Sequence, residues 1–368
     1  MYREISLSEA YDLVHGAQIL GTGGGGNAEI AKEDISKIYS QNKTFKIQDV
    51  TEFSPDDMIC IIGMVGGGIS EEDKKSVAGL EIITDNVMLE AVHELEQHLG
   101  IKFNGFVATE IGPGNIVVPL KIATLLNRVT VDGDMCGRSK PKISISTTRI
   151  VRIPITPLAI VSTYGDRLIL KDVISDSRAE DICRSISRLT NGTIGVARCP
   201  MKISDAKKAL VNRTISLAIQ LGSEIRNAIA QKNDPLPVIE RVLNAELVFT
   251  GRVKEFTRTE KGGFTSGEFI LESQNNTLKV LYQNEYLISW LNEEQFVTCP
   301  DSLLIVDRET GRGLTPWEDD FSQKDLEIAV FARESAKIWQ TEKGLEIFGP
   351  QVFQADLKYR SFRKKKEF

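Results

Sequence analysis

Histidine is nearly missing from this chain, with only His15, His93 and His98 among 368 residues. On a helix, the five-residue step from His93 to His98 turns the two side chains about 140° apart. They therefore cannot form the i, i+4 ligand pair of a helical zinc site. Cysteine is scarce as well. Cys60, Cys136, Cys183, Cys199 and Cys299 include no CxxC pair, which excludes zinc-finger spacing and reads as reduced thiols in a cytoplasmic protein. No apolar run approaches the ~20 residues of a membrane-spanning helix. The opening MYREISLSEAYDL carries acids and no apolar signal core, so secretion is not expected. Basic charge is in deficit, 45 Lys and Arg against 51 Asp and Glu for a net charge of −6, which argues against a nucleic-acid surface. The basic cluster of Arg360, Arg363, Lys364, Lys365 and Lys366 reads as a solvated tail.

What remains is ordinary globular material, 41% hydrophobic and 26% charged, and a length that suits two domains. Ala10, Leu13, Val14, Ala17 and Leu20 recur at helical spacing over 7–20, with Ser6 or Ser8 as cap. The helix runs into GTGGGG, Gly21 to Gly26, which cannot continue it cheaply. Asn27 then caps a second helix. Strands are predicted at 45–50, 58–65, 105–109 and 129–134. Glycine turns follow at 66–68, with Ser70 as a cap, and at EIGPGN (110–115). Helices are predicted at 85–99 and, despite Pro119, at 115–127. This strand–turn–helix alternation predicts an α/β N-terminal domain. Residues 149–169 read as several strands, and 175–190 and 204–231 as helices, with a proline turn at 233–238. Short β-prone runs after that predict a β-rich α+β C-terminal domain. The boundary is placed near residue 170, dividing 1–170 from 171–368, with 240 as the alternative.

Three segments carry the candidate chemistry. GTGGGG follows a helix rather than a strand and lacks the P-loop lysine, so neither nucleotide motif fits. Successive glycines still let backbone N–H groups crowd toward an anion, or let two backbones touch. EIGPGN places Glu110 and Asn115 on a turn at a strand end, where open α/β sheets bind ligands. VDGDMCGRSKP (131–141) places Asp132 and Asp134 across a glycine, as hard metal ligands or as a salt-bridge knot. Cys136 stands close by, and Arg138 is positioned to lower its pKa.

At these residues the sequence resembles the S-methyl thiohydantoin desulfurase-like family, which is associated with hydantoinase and oxoprolinase proteins. LGTGGGGNAE (20–29), TEIGPGNIVVPL (109–120) and VDGDMCGRSKP carry the resemblance in the first domain. FTGRV (249–253), GGFTSGE (262–268), YQNEYL (282–287), CPDSLLIVDRETG (299–311) and GLEIFGPQVF (344–353) carry it in the second. The resemblance implies a hydrolase acting on a five-membered cyclic ureide or thioureide, with water replacing sulfur at a ring carbon. It also implies a divalent metal, zinc- or manganese-like. Carried onto this chain, Glu110, Asp132 and Asp134 become the candidate catalytic and metal-binding set. Gly23, Gly24, Gly25, Gly26, Asn115 and Arg138 become the candidate substrate contacts. On that assignment Asp134→Asn abolishes turnover and leaves folding intact. The chain departs from the family's Gly-Met-Gly-Arg-Ala-Phe-Pro-Glu over Met135 to Lys142, with Lys140 in place of phenylalanine and Lys142 in place of glutamate. It also has Gln354 where the family has glycine. The expected partners are a small-molecule substrate and a second copy of the chain, with no nucleic acid or membrane. The competing expectation is a non-catalytic small-molecule-binding partner of a hydantoinase-type enzyme.

Overall fold

The computed structural model describes residues 1–363 apart from 67–70, 191, 262, 320, 322–325 and 354–355. The glycine turn expected through 67–68, the Ser70 cap, Gln354 and Lys364 to Lys366 lie outside the described residues.

A short strand, β1 (Arg3–Ile5), precedes the first helix, α1 (Leu7–Leu20). Ser6 caps it reciprocally: its hydroxyl accepts from the Glu9 N–H, and the Glu9 carboxylate accepts from the Ser6 N–H. α2 (Ala28–Ser40) begins at Asn27, whose side-chain oxygen accepts the Ile30 N–H at 2.8 Å. There follow β2 (Phe45–Gln48), β3 (Met58–Gly66), α3 (Glu71–Ser76), α4 (Val87–Leu99), β4 (Gly105–Ala108), α5 (Val117–Leu125) and β5 (Val129–Asp134). Pro119 is tolerated because it sits in the first turn of α5, where its missing N–H breaks no helical hydrogen bond. Strands β2, β5, β4 and β3 run parallel in that order, as the alternation predicts.

Between 147 and 243 the chain departs from the expected elements. Thr147–Ile150 is a helical turn, α6, rather than strand, and Ser146 caps it. After β6 (Leu158–Ser162), β7 (Arg167–Leu170) and α7 (Asp176–Arg188), residues Thr193–Lys202 form β8, a strand the periodicity did not announce. It lies antiparallel between β3 and β6. The long helix expected over 204–231 is two, α8 (Ile203–Ala209) and α9 (Thr214–Ala230). They are separated by β9 (Val211–Asn212), which pairs with β5, and by Arg213 in the left-handed region at φ 60°. The proline segment leads directly into α10 (Leu236–Leu243), since proline suits a helix start.

Odd and even residues of β3 serve opposite faces of this sheet, as a period of two requires. Ile59 and Ile61 pack with α7 and α8, and Cys60 and Ile62 pack with α4. The second sheet is antiparallel throughout. Its strands are β10 (Glu246–Phe256), β11 (Thr259–Lys261), β12 (Phe264–Ser273), β13 (Asn276–Gln283), β14 (Glu285–Leu291), β15 (Glu294–Thr298), β16 (Ser302–Asp307) and β17 (Glu327–Arg333), and α11 (Glu342–Phe348) follows. The β-prone runs after 245 thus form the second sheet. Residues 193–230, beyond the boundary placed near 170, return to the first sheet and its helices. The domains share apolar core, because Leu304, Val306, Ala329 and Phe331 pack with α1, α2 and α9.

Candidate active site

A cleft of about 480 Å³ opens where β3 and β4 end, between the first domain and the second sheet. Ligands gather at such carboxyl ends because the strands stop there while the following loops diverge. Gly24 to Gly26, Glu110 and Asn115 line the cleft, and the third candidate segment, 131–141, reaches it through Lys140 and Pro141 rather than through its aspartates.

The glycine loop is held by contact with the 110–115 turn. Gly25 C=O accepts the N–H groups of Gly114 and Asn115 at 3.0 and 2.9 Å. Gly25 has φ +85°, and a Cβ placed there would stand 2.5 Å from Gly112 Cα. Only glycine permits both the left-handed backbone and that approach. The second domain braces the other side, with Trp317 Nε1 donating to Gly23 C=O at 3.0 Å and Tyr286 N–H to Thr22 C=O at 2.8 Å. Among the described residues no protein acceptor takes the N–H of Gly25 or Gly26. The loop is thus a tight backbone corner at the head of α2.

Glu110 and Lys140 form the charged floor. Lys140 Nζ donates to Glu110 Oε2 at 2.8 Å and to Thr109 Oγ1 at 3.1 Å, and its backbone N–H donates to the same Oε2 at 3.2 Å. Asn115 Nδ2 donates to Oε1 at 2.7 Å. Both charged side chains are almost wholly buried, 1% and 5% exposed, so the pair is strongly oriented and costly to break. Thr109 also accepts from Arg198 at 2.9 Å, linking the floor to β8.

Glu285, the first residue of β14, also lines the cleft. It is 3% exposed, and its Oε2 has no hydrogen-bond partner among the described residues. Burial, reinforced by the nearby Glu110 charge, pushes its carboxyl well above the usual carboxylate range.

Asp132, Asp134, Arg138 and Gly23, expected in the site, do not line the cleft. The reason is that β5 continues through Asp134, so the two aspartates project from a strand instead of converging on a turn. Asp132 accepts the Ser216 N–H at 3.0 Å and the Ser216 hydroxyl at 2.5 Å, tying β5 to the first turn of α9. Asp134 Oδ1 accepts the N–H groups of Cys136 and Gly137 at 2.7 and 2.6 Å and shapes the next turn. Arg138 is 2% exposed and donates to the carbonyls of Ser139, Tyr286 and Asp301 and to Thr22 Oγ1, clamping the domains together. It does not activate Cys136, because burial pushes that thiol up, with the charges of Lys140 and Arg138 acting only against that trend.

These residues do not suit a divalent cation. Glu110 has both oxygens engaged by donors, one of them an ammonium, and Asp132 has both engaged by Ser216. Among the described residues no three His, Cys, Asp or Glu side chains form a metal-ligating group. Lys140, Thr109, Glu285 and Trp317 were missed by the sequence reading. Lys140 and Glu285 stand inside VDGDMCGRSKP and YQNEYL, and the cue was an ionisable residue in a segment otherwise destined for burial.

Fold and site together define a two-domain protein, an α/β sheet joined to an antiparallel β domain, with a cleft between them. The chain belongs to the S-Me-THD-like family, its N-terminal domain matching over residues 8–172 and its C-terminal domain over 174–362. The fold is also that of a crystal structure described as a protein from Chromobacterium violaceum. That structure is 22% identical, with a TM-score of 0.80 over 98% of this chain and 100% of the other. No curated protein matches the chain significantly. Among the described residues, all five cysteines are buried free thiols, and no helix is long and apolar enough to cross a membrane.

Proposed function

We propose that the cleft is the active site of a hydrolase that adds water to a carbon of a five-membered cyclic ureide or thioureide. The observation that carries this reading is the juxtaposition of Glu110, Lys140 and two unengaged glycine N–H groups in one cavity of small-molecule size. The choice of ring class is supported by the name of the family, S-Me-THD-like.

Addition of water to such a ring carbon needs a proton acceptor for the water and positive charge for the heteroatom that becomes anionic. Glu110 is the acceptor, aimed by Asn115 and the Lys140 backbone N–H. The Gly25 and Gly26 N–H groups and the Lys140 ammonium face the charge that develops. Burial strengthens each of these interactions relative to water.

The test is release of sulfide, thiol or ammonia from a panel of thiohydantoins, S-alkyl thiohydantoins and hydantoins by the purified protein. Turnover by the wild type and a loss of at least about 100-fold in Glu110→Gln supports the reading. A protein that binds these rings yet converts none is instead a binding subunit of a hydantoinase-type partner.

A further inference from the structure

We infer that Glu285 is the acid of this site, the group that delivers a proton to the atom leaving the ring carbon. The inference rests on the reading of the cleft as a ring hydrolase, and it assigns a role to a residue that reading leaves unused.

The position of Glu285 is set by the second domain and the glycine loop together. The Tyr286 N–H on Thr22 C=O at 2.8 Å fixes the start of β14 beside the loop. The Glu285 carboxyl then lies so close to Gly24 that any Cβ there would collide with it. Asn284, in the left-handed region at φ 59°, accepts the Thr265 N–H at 2.9 Å and secures the preceding turn.

What is absent around Glu285 matters as much. Among the described residues it has no ion-pair partner, and its Oε2 has no donor, although it is buried. A buried carboxylate in that condition is costly, whereas a carboxylic acid carries its own donor and lacks only an acceptor. The charged groups that face it are Glu110 from the loop after β4, and Arg138 and Lys140 from the loop after β5. Arg138 is committed to three carbonyls and a hydroxyl, and Lys140 to Glu110 and Thr109. The Glu110 charge further disfavours ionisation. Two carboxyls in one cleft, one held by an ammonium and one left without a cation, divide into base and acid.

With an S-alkyl thiohydantoin the protons balance as follows. Water oxygen bonds to the ring carbon, and one water proton passes to Glu110 and then to the ring nitrogen whose double bond has opened. The C–S bond breaks, its electron pair leaves on sulfur, and sulfur takes the Glu285 proton. The remaining hydroxyl proton, released as the carbonyl forms, returns Glu285 to its acid form. Ring thioether and water give oxo ring and thiol, with both carboxyls restored.

The experiment compares wild type with Glu285→Gln, a variant of the same size that keeps a hydrogen-bond donor but transfers no proton. Two S-substituted thiohydantoins are used, one with an alkyl thiolate leaving group and one with an electron-poor aryl thiolate that departs without protonation. The expected result is a loss of at least about 100-fold in kcat on the S-alkyl ring and less than about 10-fold on the S-aryl ring. The fall of wild-type kcat/KM at high pH should also vanish in the variant. Infrared difference spectra at neutral pH should show a carboxylic-acid C=O band in wild type that Glu285→Gln lacks. Equal losses on the two rings, or no such band, overturn the role of Glu285 while leaving the cleft as a hydrolase site. Absence of turnover by wild type on every ring overturns the reading of the cleft itself, and the infrared band then decides the protonation of Glu285 independently.

Discussion

Replacing Asp134 by Asn should stabilise the protein at pH 8 by about 3 kcal/mol, and the gain should fade as the solution is acidified. Asp134 is completely buried. Burial raises its pKa from 3.8 to about 6, opposed by the N–H groups of Gly137 and Cys136, the Thr214 hydroxyl and the Lys140 charge. Its Oδ2 and Thr214 Oγ1 both lack a completed hydrogen bond. Asparagine keeps Oδ1 for the two N–H groups and places an amide donor where Oδ2 stood, facing Thr214.

A carboxyl whose pKa is higher folded than unfolded binds protons better in the native state, so native stability falls as pH rises between the two values. The gap between 3.8 and about 6 is worth about 3 kcal/mol at ~1.4 kcal/mol per pH unit. That penalty is fully present above pH 6, about half remains at pH 5, and none remains below 3.8. The variant lacks it throughout. Urea denaturation of both proteins at pH 8, 6 and 5 measures the difference directly. A variant less stable than wild type at pH 8, or a difference that does not change with pH, refutes the reasoning. The same preparation tests the catalytic role assigned from the resemblance: with Asp134 outside the cleft lining, the variant should retain at least about a third of wild-type turnover, since its loss should stay well under 1.4 kcal/mol of barrier.

Gly25→Ala should cost at least about 2 kcal/mol, because φ +85° is strained for alanine and its Cβ would meet Gly112 Cα at 2.5 Å; a thermal melt unchanged from wild type would contradict the packing described. Lys140→Met should destabilise by about 3–5 kcal/mol by leaving Glu110 buried without its cation. The double variant with Glu110→Gln should then lose less than the sum of the singles, by more than about 1 kcal/mol, in a urea double-mutant cycle. Arg138→Lys should cost about 2 kcal/mol or more despite keeping the charge, since an ammonium cannot span Ser139, Asp301, Tyr286 and Thr22 from one position; protease resistance at the domain junction reports it.

The parallel half of the first sheet was legible because β3 and β4 are each followed by turns and an apolar helical stripe, in α4 and α5. β8 was not, because TIGVARCPMK mixes buried arginine and cysteine with glycine, and its partners β3 and β6 are remote in sequence. The break at Arg213 was hidden because ALVNRTISL preserves helical periodicity across it, and only pairing of β9 with β5 forces the chain out of helix. In the cleft lining, Glu110, Asn115 and Gly24 to Gly26 were legible from turn chemistry, a local property. Whether Asp132 and Asp134 face a cleft or a helix depends on where β5 ends, which no two-residue spacing fixes.

The second domain does more than cover the first. Glu285, Asn284, Thr265 and Trp317 line the cleft from the second domain, while Glu110, Lys140 and the glycines line it from the first. Gly23 and Thr22 are held by donors from the second domain, and Arg138 of the first is satisfied in part by Asp301 and Tyr286 carbonyls. Separation would leave a buried guanidinium short of acceptors and strip the apolar partners of α1. The position of Glu285 relative to Glu110 is therefore fixed by the same contacts that hold the domains together, and substitutions at Arg138 or Trp317 that loosen the junction should lower turnover without touching substrate.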